Sequence, residues 1–591
     1  MTEHPGATPQ GFWRKIVLAW LAVSAVLIVR TWGAIHSFQL ADPDDALRLV
    51  QVRDLLAGQG WFDLHQYRID PPAGVATHWS RLVDTPLALT ILLLRPLLGQ
   101  AGAELAAAVI VPLLTLLCAM LLTARLALKL YGARAAYAAC LVWIMALTAL
   151  TQLQPMRIDH HGWQIVAVLA ALNGTLSASA QRGGWLIGGA LALGMSISLE
   201  LLPFTALFAA VLGLRWLRDP AARGWLVQML GALALTSAAS YLATRGLIAD
   251  NHCDTISPDH LAGFGLAAVL VAGIAMLRNV PRPVLVLLLG ASAMLVGLGY
   301  LALSPQCLAG PFATLDPLVR NVWYNNVLEG MPVWRQAFPT TVQMVIPPLF
   351  GLLIVLLSYW RASPDRRPLL GDLTLLLGGV AVIALLVSRF SAVAAAIATV
   401  PLGLAISEWL RRASTMRLSA RLLVLPLILL VLLPGFVAEQ LKARFAAPPP
   451  ADAQGPAPDL GRGCSLPGSL PALAQIPPAT MFAPFEISPT LLLETQHKVI
   501  ATGHHRAAES MHDVIAAFLA PPAQAEAIVR QHGASYVVAC SDLIEARNYR
   551  TFAPKGLMAQ LLTGKAPSWL EPVALGPTAG NLRLYRVKPA N

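Results

Sequence analysis

Two short polar clusters interrupt an otherwise apolar chain: Asp42-Pro43-Asp44-Asp45, and Arg157-Ile158-Asp159-His160-His161. The first crowds three carboxylates into four residues, a repulsion that a divalent cation relieves. The second sets oxygen and nitrogen donors beside Arg157, whose guanidinium suits phosphate. Carboxylates and imidazoles are costly next to hydrocarbon unless they have work to do. If both clusters face the same side of a membrane, they can form a metal and phosphate site at its surface. The plainer alternative is that Asp42 and Asp159 only cap helices.

The elements around these clusters are membrane spans. Hydrophobic residues make up 56% of the 591 and charged residues 12%, with a mean hydropathy of +0.63. A soluble domain carries about 25% charged residues, which excludes an ordinary water-soluble globule. Runs long enough to cross the bilayer fall at 16–35, 103–127, 133–154, 163–181, 184–200, 201–216, 224–247, 261–278, 283–303, 340–360, 369–388, 390–410 and 420–438. That predicts about thirteen crossings, the first a retained signal anchor following Arg14 and Lys15. The segment Pro86 to Leu98 is apolar but short and broken by Arg95-Pro96. It reads as a helix on or dipping into the outer surface.

With the N-terminus inside, Arg125, Lys129, Arg134, Arg182, Arg215, Arg218, Arg223, Arg278, Arg282, Arg361, Arg366, Arg367, Arg411, Arg412, Arg417 and Arg421 all fall in inner loops. That is the positive-inside pattern. The net charge of +11 therefore reflects topology, and nucleic acid is not an expected partner. Arg48, Arg53, Arg68 and Arg81 run against the rule, interleaved with Asp54, Asp63, Asp70 and Asp84 in a long loop.

This orientation divides the chain into a membrane domain, 1–438, a Pro/Gly/Ala-rich linker, 439–479, and a small periplasmic α/β domain, 480–591. The membrane domain carries a first periplasmic loop, 36–98, with surface helices, and a long one, 304–339. In the tail, Lys498 to Ala501, Ser535 to Ala539 and Asn581 to Val587 read as strands, and Glu509 to Leu519 and Ala523 to His532 as helices. Cys253, Cys307, Cys464 and Cys540 fall in segments assigned outside. Pairs Cys253–Cys307 and Cys464–Cys540 suit an oxidising periplasm, against four unrelated thiols. The expected location is a bacterial inner membrane, with the N-terminus cytoplasmic and the tail periplasmic.

The layout resembles the GT-C membrane glycosyltransferases, and most of all the catalytic subunit of oligosaccharyltransferase. The resemblance rests on the first helix followed by Asp-Pro with acidic neighbours, a long outer loop with a surface helix, and a loop bearing Arg-x-Asp-x-His. The many spans and the outer C-terminal domain add to it. It implies a polytopic α-helical fold and a divalent metal, Mg or Mn, held by Asp42, Asp159, His161 and Glu329 of Val327-Leu328-Glu329. It also implies that Arg389 contacts a lipid phosphate. Two features depart from that family. His161 stands where an acid is expected, and the tail has no Trp-Trp-Asp motif, so an acceptor other than the Asn-x-Ser/Thr sequon fits better.

The implied reaction transfers a sugar from a polyprenyl-(di)phosphate-linked donor to a glycan, lipid or protein acceptor. Asp42 or Asp44 would act as base and the metal with Arg389 would stabilise the leaving phosphate. Arg157, His160, Arg389, Arg81, His505 and Arg506 are candidate substrate contacts. His78-Trp79-Ser80-Arg81 resembles an interfacial anchor, Arg30 a snorkelling side chain, and Glu200 beside Pro203 a carboxylate facing a cavity. A secondary transporter would keep its charges near the midplane on broken helices, often with repeats. A lipid-linked glycan flippase or polymerase handles the same substrates but needs no paired acidic clusters.

Overall fold

The computed structural model describes residues 8–248, 250–312, 315–445, 466–576 and 579–590. The chain divides into two compact units that do not follow chain order. The first comprises Met1–Gln39, Ser80–Ala313 and Leu328–Ala446; the second comprises Leu40–Trp79, Thr314–Val327 and Ala447–Asn591.

The first unit is helical. Among the described residues, nine helices are long and apolar enough to cross a membrane, or ten if a pair bent by 103° after Leu432 is one span. The protein is therefore a multi-pass membrane protein. The three remaining expected stretches form shorter helices: Ala133–Val142, of ten residues, His161–Gly174, of fourteen, and Ala180–Ile197, of eighteen. Pro86 to Leu98 lies in a helix starting at Arg81, which left-handed Gly99, at φ 70°, breaks from the helix that continues to Tyr131.

Helix Ser391–Thr415 forms the centre of this unit, with every residue from Ser391 to Gly403 buried. A helix apolar on all sides belongs in an interior. Small residues let its neighbours approach: a Cβ on Gly403 would stand 2.5 Å from the backbone nitrogen of Ala139. The same device joins Ala180–Ile197 to Arg223–Arg245, where a Cβ on Gly188 would stand 2.1 Å from the Met229 carbonyl. Lipid cannot drive helices together hydrophobically, so close backbone packing of this kind does. Cys253 and Cys307 form a disulfide.

The second unit contains a short hairpin, β1 (His65–Gln66) with β2 (Val75–Ala76), and a mixed five-stranded sheet. Its strands are β3 (Thr480–Phe482), β4 (Lys498–Val499), β5 (Tyr536–Cys540), β6 (Leu570–Val573) and β7 (Leu582–Val587), in the order β4-β3-β5-β7-β6. Strand β3 runs parallel to β4 and β5; β7 is antiparallel to β5 and β6. Parallel neighbours need a crossover. Helix Ser488–Glu494 lies in the one between β3 and β4, and helices Ala508–Leu519 and Pro522–Gln531 lie in the connection that leads from β4 to β5 on the other side of β3. The expected tail helices and three strands are present, while β3 and β6 were not anticipated. A helix, Leu466–Leu473, occupies part of the stretch read as linker. Cys540 is disulfide-bonded, and its expected partner Cys464 lies outside the described residues.

The arginines that broke the charge pattern are used inside the fold. Arg68 donates to the carbonyls of Leu492, at 2.7 Å, and Thr495, at 2.9 Å, and Arg53 to that of Leu493. All three carbonyls lie at the C-terminal end of helix Ser488–Glu494, where cations are favoured. Arg48 lies 4.5 Å from the Trp79 ring. Trp79 is only 5% exposed, which corrects its reading as an interfacial anchor: it packs under a guanidinium instead.

Glu545 provides a stability prediction for this unit. Its backbone nitrogen donates to Glu486, and it accepts from the Glu486 nitrogen at 2.9 Å. Burial first, with Glu486 nearby, pushes its carboxyl up to about 7 from 4.5. A raised folded-state value means stability is fully present below about pH 4.5 and lost as pH rises to about 7. Glu545→Gln is therefore expected to raise the melting temperature by about 3–6 °C at pH 8 and to leave it unchanged at pH 4. Equal shifts at both values would refute the account.

Candidate functional site

The first unit brings Arg157, Asp159, His160, His161, Glu200, Glu329 and Arg389 into turns at helix ends. Asp159 and His160 immediately precede helix His161–Gly174. Glu200 sits in the turn Leu199–Leu201, between Ala180–Ile197 and Leu202–Arg218. Arg389 occupies the turn Ser388–Phe390 before the central helix, and Glu329 the turn Leu328–Gly330. Ser388 ties these last two turns together. Its nitrogen donates to the Met331 carbonyl at 2.9 Å, and its hydroxyl to the Glu329 carbonyl at 3.0 Å.

The guanidinium of Arg389 bridges two carboxylates. One nitrogen donates to Glu200, and the other lies 3.3 Å from Glu329. Glu200 also accepts from Gln164 Nε2 at 2.9 Å and lies 3.9 Å from His160 Nε2. Asp159 closes the group, 2.6 Å from His160 Nδ1 and 3.5 Å from His161 Nε2. Asp159 is 4% exposed, whereas the Glu329 side chain is 40% exposed, so the group opens outward from a buried base. Glu329, expected as a metal ligand, faces Arg389. Arg157 is buried, with its Nε donating to Gln152 at 3.2 Å. Arg30 donates to Gln154 at 2.7 Å.

Burial pulls the His160 imidazole down, but Asp159 and then Glu200 outweigh it and push its pKa up to about 9. An imidazolium held this way suits an anionic substrate.

Asp159, His160 and His161 offer donor atoms within 4.8 Å of one another. The hydrogen bonds argue for a cation between Asp159 and His161. Gln164 must donate Nε2 to Glu200, so its Oε1 faces His161 Nδ1 at 3.2 Å. The Nδ1 of a neutral His161 is then the protonated nitrogen. Its Nε2 lone pair faces an Asp159 oxygen 3.5 Å away. Two acceptors opposed in a buried place are what one metal ion would satisfy, with ligand atoms about 3.0–3.5 Å apart. The residues fit a divalent cation, and an imidazole in the set favours Mn²⁺ or Zn²⁺ over Mg²⁺. Gln164 was missed in the sequence, although its position three residues after His161 puts it on the same helical face.

The other candidates belong to other elements. Arg81 is fully buried, 3.2 Å from fully buried Asp84, and offers no surface to a substrate. Asp42 and Asp44 belong to the second unit. Asp42 caps helix Pro43–Leu56 by accepting from the Asp44 nitrogen at 3.0 Å, with Pro43 in the first turn. His505 and Arg506 form a short turn, His505–Ala507, in the same unit.

No family model matches the sequence, and no curated protein is recognisably similar to it. Solved structures are more informative. The oligosaccharyltransferase AglB of Archaeoglobus fulgidus, in complex with an inhibitory peptide and a dolichol-phosphate, superposes with a TM-score of 0.67 at 13% identity, over 93% of this chain and 72% of that one. The Archaeoglobus enzyme tethered to an acceptor peptide with an NVT sequon gives 0.66 at 14% identity, over 98% and 74%. Its complex with Zn and sulfate gives 0.60 at 15%, over 97% and 73%. At such identities the likeness is one of architecture alone: this chain has the fold of those oligosaccharyltransferase structures.

Proposed function

We propose that the protein is a membrane glycosyltransferase of the GT-C type. It moves a sugar from a polyprenyl-(di)phosphate-linked donor to a glycan, lipid or protein acceptor at the periplasmic face of a bacterial inner membrane. The observation that carries this reading is Arg389, held by Glu200 and Glu329 beside the Asp159–His160 pair. This is a cationic group on a carboxylate frame, in a fold whose solved example holds a dolichol-phosphate.

Arg389 and His160 bind the donor phosphate and offset the charge that grows on it as the glycosidic bond breaks. Gln164 fixes the His161 ring and the Glu200 carboxylate together, as an outer partner orients a ligand. Asp159 and His161 would hold a divalent cation, which supplies Lewis-acid neutralisation of phosphate charge when bound. An aspartate of the acidic turn, Asp42 or Asp44, takes the acceptor proton.

The test uses the full chain in lipid vesicles with labelled sugars on polyprenyl phosphate and diphosphate, and envelope extract as acceptor. Wild type should transfer label. Asp42→Asn or Asp44→Asn should lose about a hundredfold or more. Transfer unchanged in both variants removes the acidic turn from the reaction, and absence of transfer by wild type from either carrier overturns the enzyme reading.

A further inference from the structure

At the end of the membrane helices opposite Arg389, arginines gather round one tyrosine. Helix Arg367–Leu386 has twenty residues and leads into the turn Ser388–Phe390, so its first residue stands about 30 Å from that turn. Helix Leu202–Arg218 likewise starts beside Glu200 and ends at Arg218. About 30 Å is the thickness of the hydrocarbon layer, so these helix ends reach the second headgroup level. Over 215–223 and 359–372, six arginines stand against three aspartates.

Asp372, only 1% exposed, is held chiefly by Arg215. Arg215 Nε donates to one Asp372 oxygen at 2.8 Å, and its Nη2 lies 2.6 Å from the same oxygen. Arg218 is held more loosely, with its Nη1 3.4 Å from the other oxygen and its side chain 47% exposed. That nitrogen borders Gly371: a Cβ there would stand 3.8 Å from it and 3.4 Å from the Tyr359 ring. Arg367 sits one turn before Gly371 on the same helical face. It donates Nε to the Ala362 carbonyl at 3.1 Å, next to Arg361, and both arginines are exposed. Helices Leu202–Arg218, Phe338–Arg361 and Arg367–Leu386 thus each bring one arginine towards half-buried Tyr359. The Tyr359 ring meets Trp360 edge-on at 5.6 Å, and Trp360 is 71% exposed.

We infer that Arg218, Arg361 and Arg367 bind the phosphate of an anionic phospholipid at this headgroup level. Guanidinium forks match phosphate oxygens, and basic pockets between membrane helices take such headgroups. An exposed Trp is favoured in the same layer. Two plainer accounts compete. The positive-inside rule explains the sign of the charge at this end but not its gathering round one ring. The helix dipole favours Arg218 and Arg361 where their helices end, but it disfavours Arg367, which opens its own. The inference rests on the membrane helices and not on sugar transfer.

The experiment strips phospholipid from the full chain in detergent and equilibrates it with mixed micelles containing phosphatidylglycerol or phosphatidylcholine. Native mass spectrometry then counts the retained lipid. Wild type should retain phosphatidylglycerol in preference to phosphatidylcholine. Arg218→Gln and Arg361→Gln should each weaken that retention about fivefold, with the circular dichroism spectrum unchanged, and Arg218→Lys should recover part of the loss. The exposed Arg361 keeps the test open if Arg218→Gln fails to fold. Arg278→Gln removes an exposed arginine from the loop between helices Pro258–Met276 and Arg282–Leu303 and should change nothing. An equal loss from Arg278→Gln would leave only the general charge of this end and overturns the proposal. Retention indifferent to Arg361→Gln, or equal for the two lipids in wild type, overturns it too. So does displacement of the lipid by inorganic phosphate, which would assign the cluster to a soluble anion.

Discussion

Arg389→Ala is expected to lower transfer from a polyprenyl-phosphate donor by about a hundred- to thousandfold, the usual loss when a donor aimed at developing charge is removed. In the resting protein the guanidinium lies between Glu200 and Glu329, and the Ser388 bonds hold its turn against that of Glu329. It is thus positioned before substrate arrives. Without it two carboxylates face the donor phosphate, and repulsion adds to the lost attraction. Arg389→Lys keeps the charge but not the planar fork, so it should recover part of the rate, by about tenfold over alanine. The fall should appear in kcat as well as in a raised donor KM, because the group both binds the phosphate and offsets the charge growing on it. Stability should change little, by about 1 kcal/mol, because Glu200 and Glu329 remain partly exposed and screened. A drop of less than tenfold in the alanine variant, with an unchanged melting temperature, would remove Arg389 from the chemistry.

The parts legible in the sequence are those written in local chemistry. Apolar runs announced helices, and the turn 157–161, Glu200, Glu329 and Arg389 stood out because charges next to hydrocarbon are few. Their assembly was less legible. Leu40–Trp79 and Thr314–Val327 join the tail rather than the helices around them, and no periodicity encodes which distant segment a loop packs on. A hydropathy window over 133–154 cannot register the 3-10 turn Trp143–Met145 that ends the helix there. Arg53 and Arg68 of the first loop looked like violations of topology because they donate to backbone carbonyls, which have no sequence signature. Asp42 illustrates the reverse case: Asp followed by Pro is a capping signal as well as a catalytic one, and the structure shows the capping.

The second large effect is expected at Asp159. Its two oxygens face different imidazoles, His160 at 2.6 Å and His161 at 3.5 Å, so one substitution disturbs both the phosphate-facing cation and the inferred metal pair. Asp159→Ala should lower transfer by about a hundredfold or more and abolish its dependence on added Mn²⁺. His161→Ala should do the same, because both would contribute to one ion. Asp159→Asn keeps the shape and an oxygen acceptor but loses the charge, so a fall nearly as deep as that of alanine would locate the effect in charge. A double variant with Arg389→Ala should lose much less than the product of the single losses, since groups acting on one phosphate do not act independently. Fully multiplicative losses would mean that Asp159 and Arg389 serve separate purposes. A chelator-insensitive wild type whose Asp159→Ala variant keeps full activity would dissolve the metal reading while leaving the guanidinium one intact.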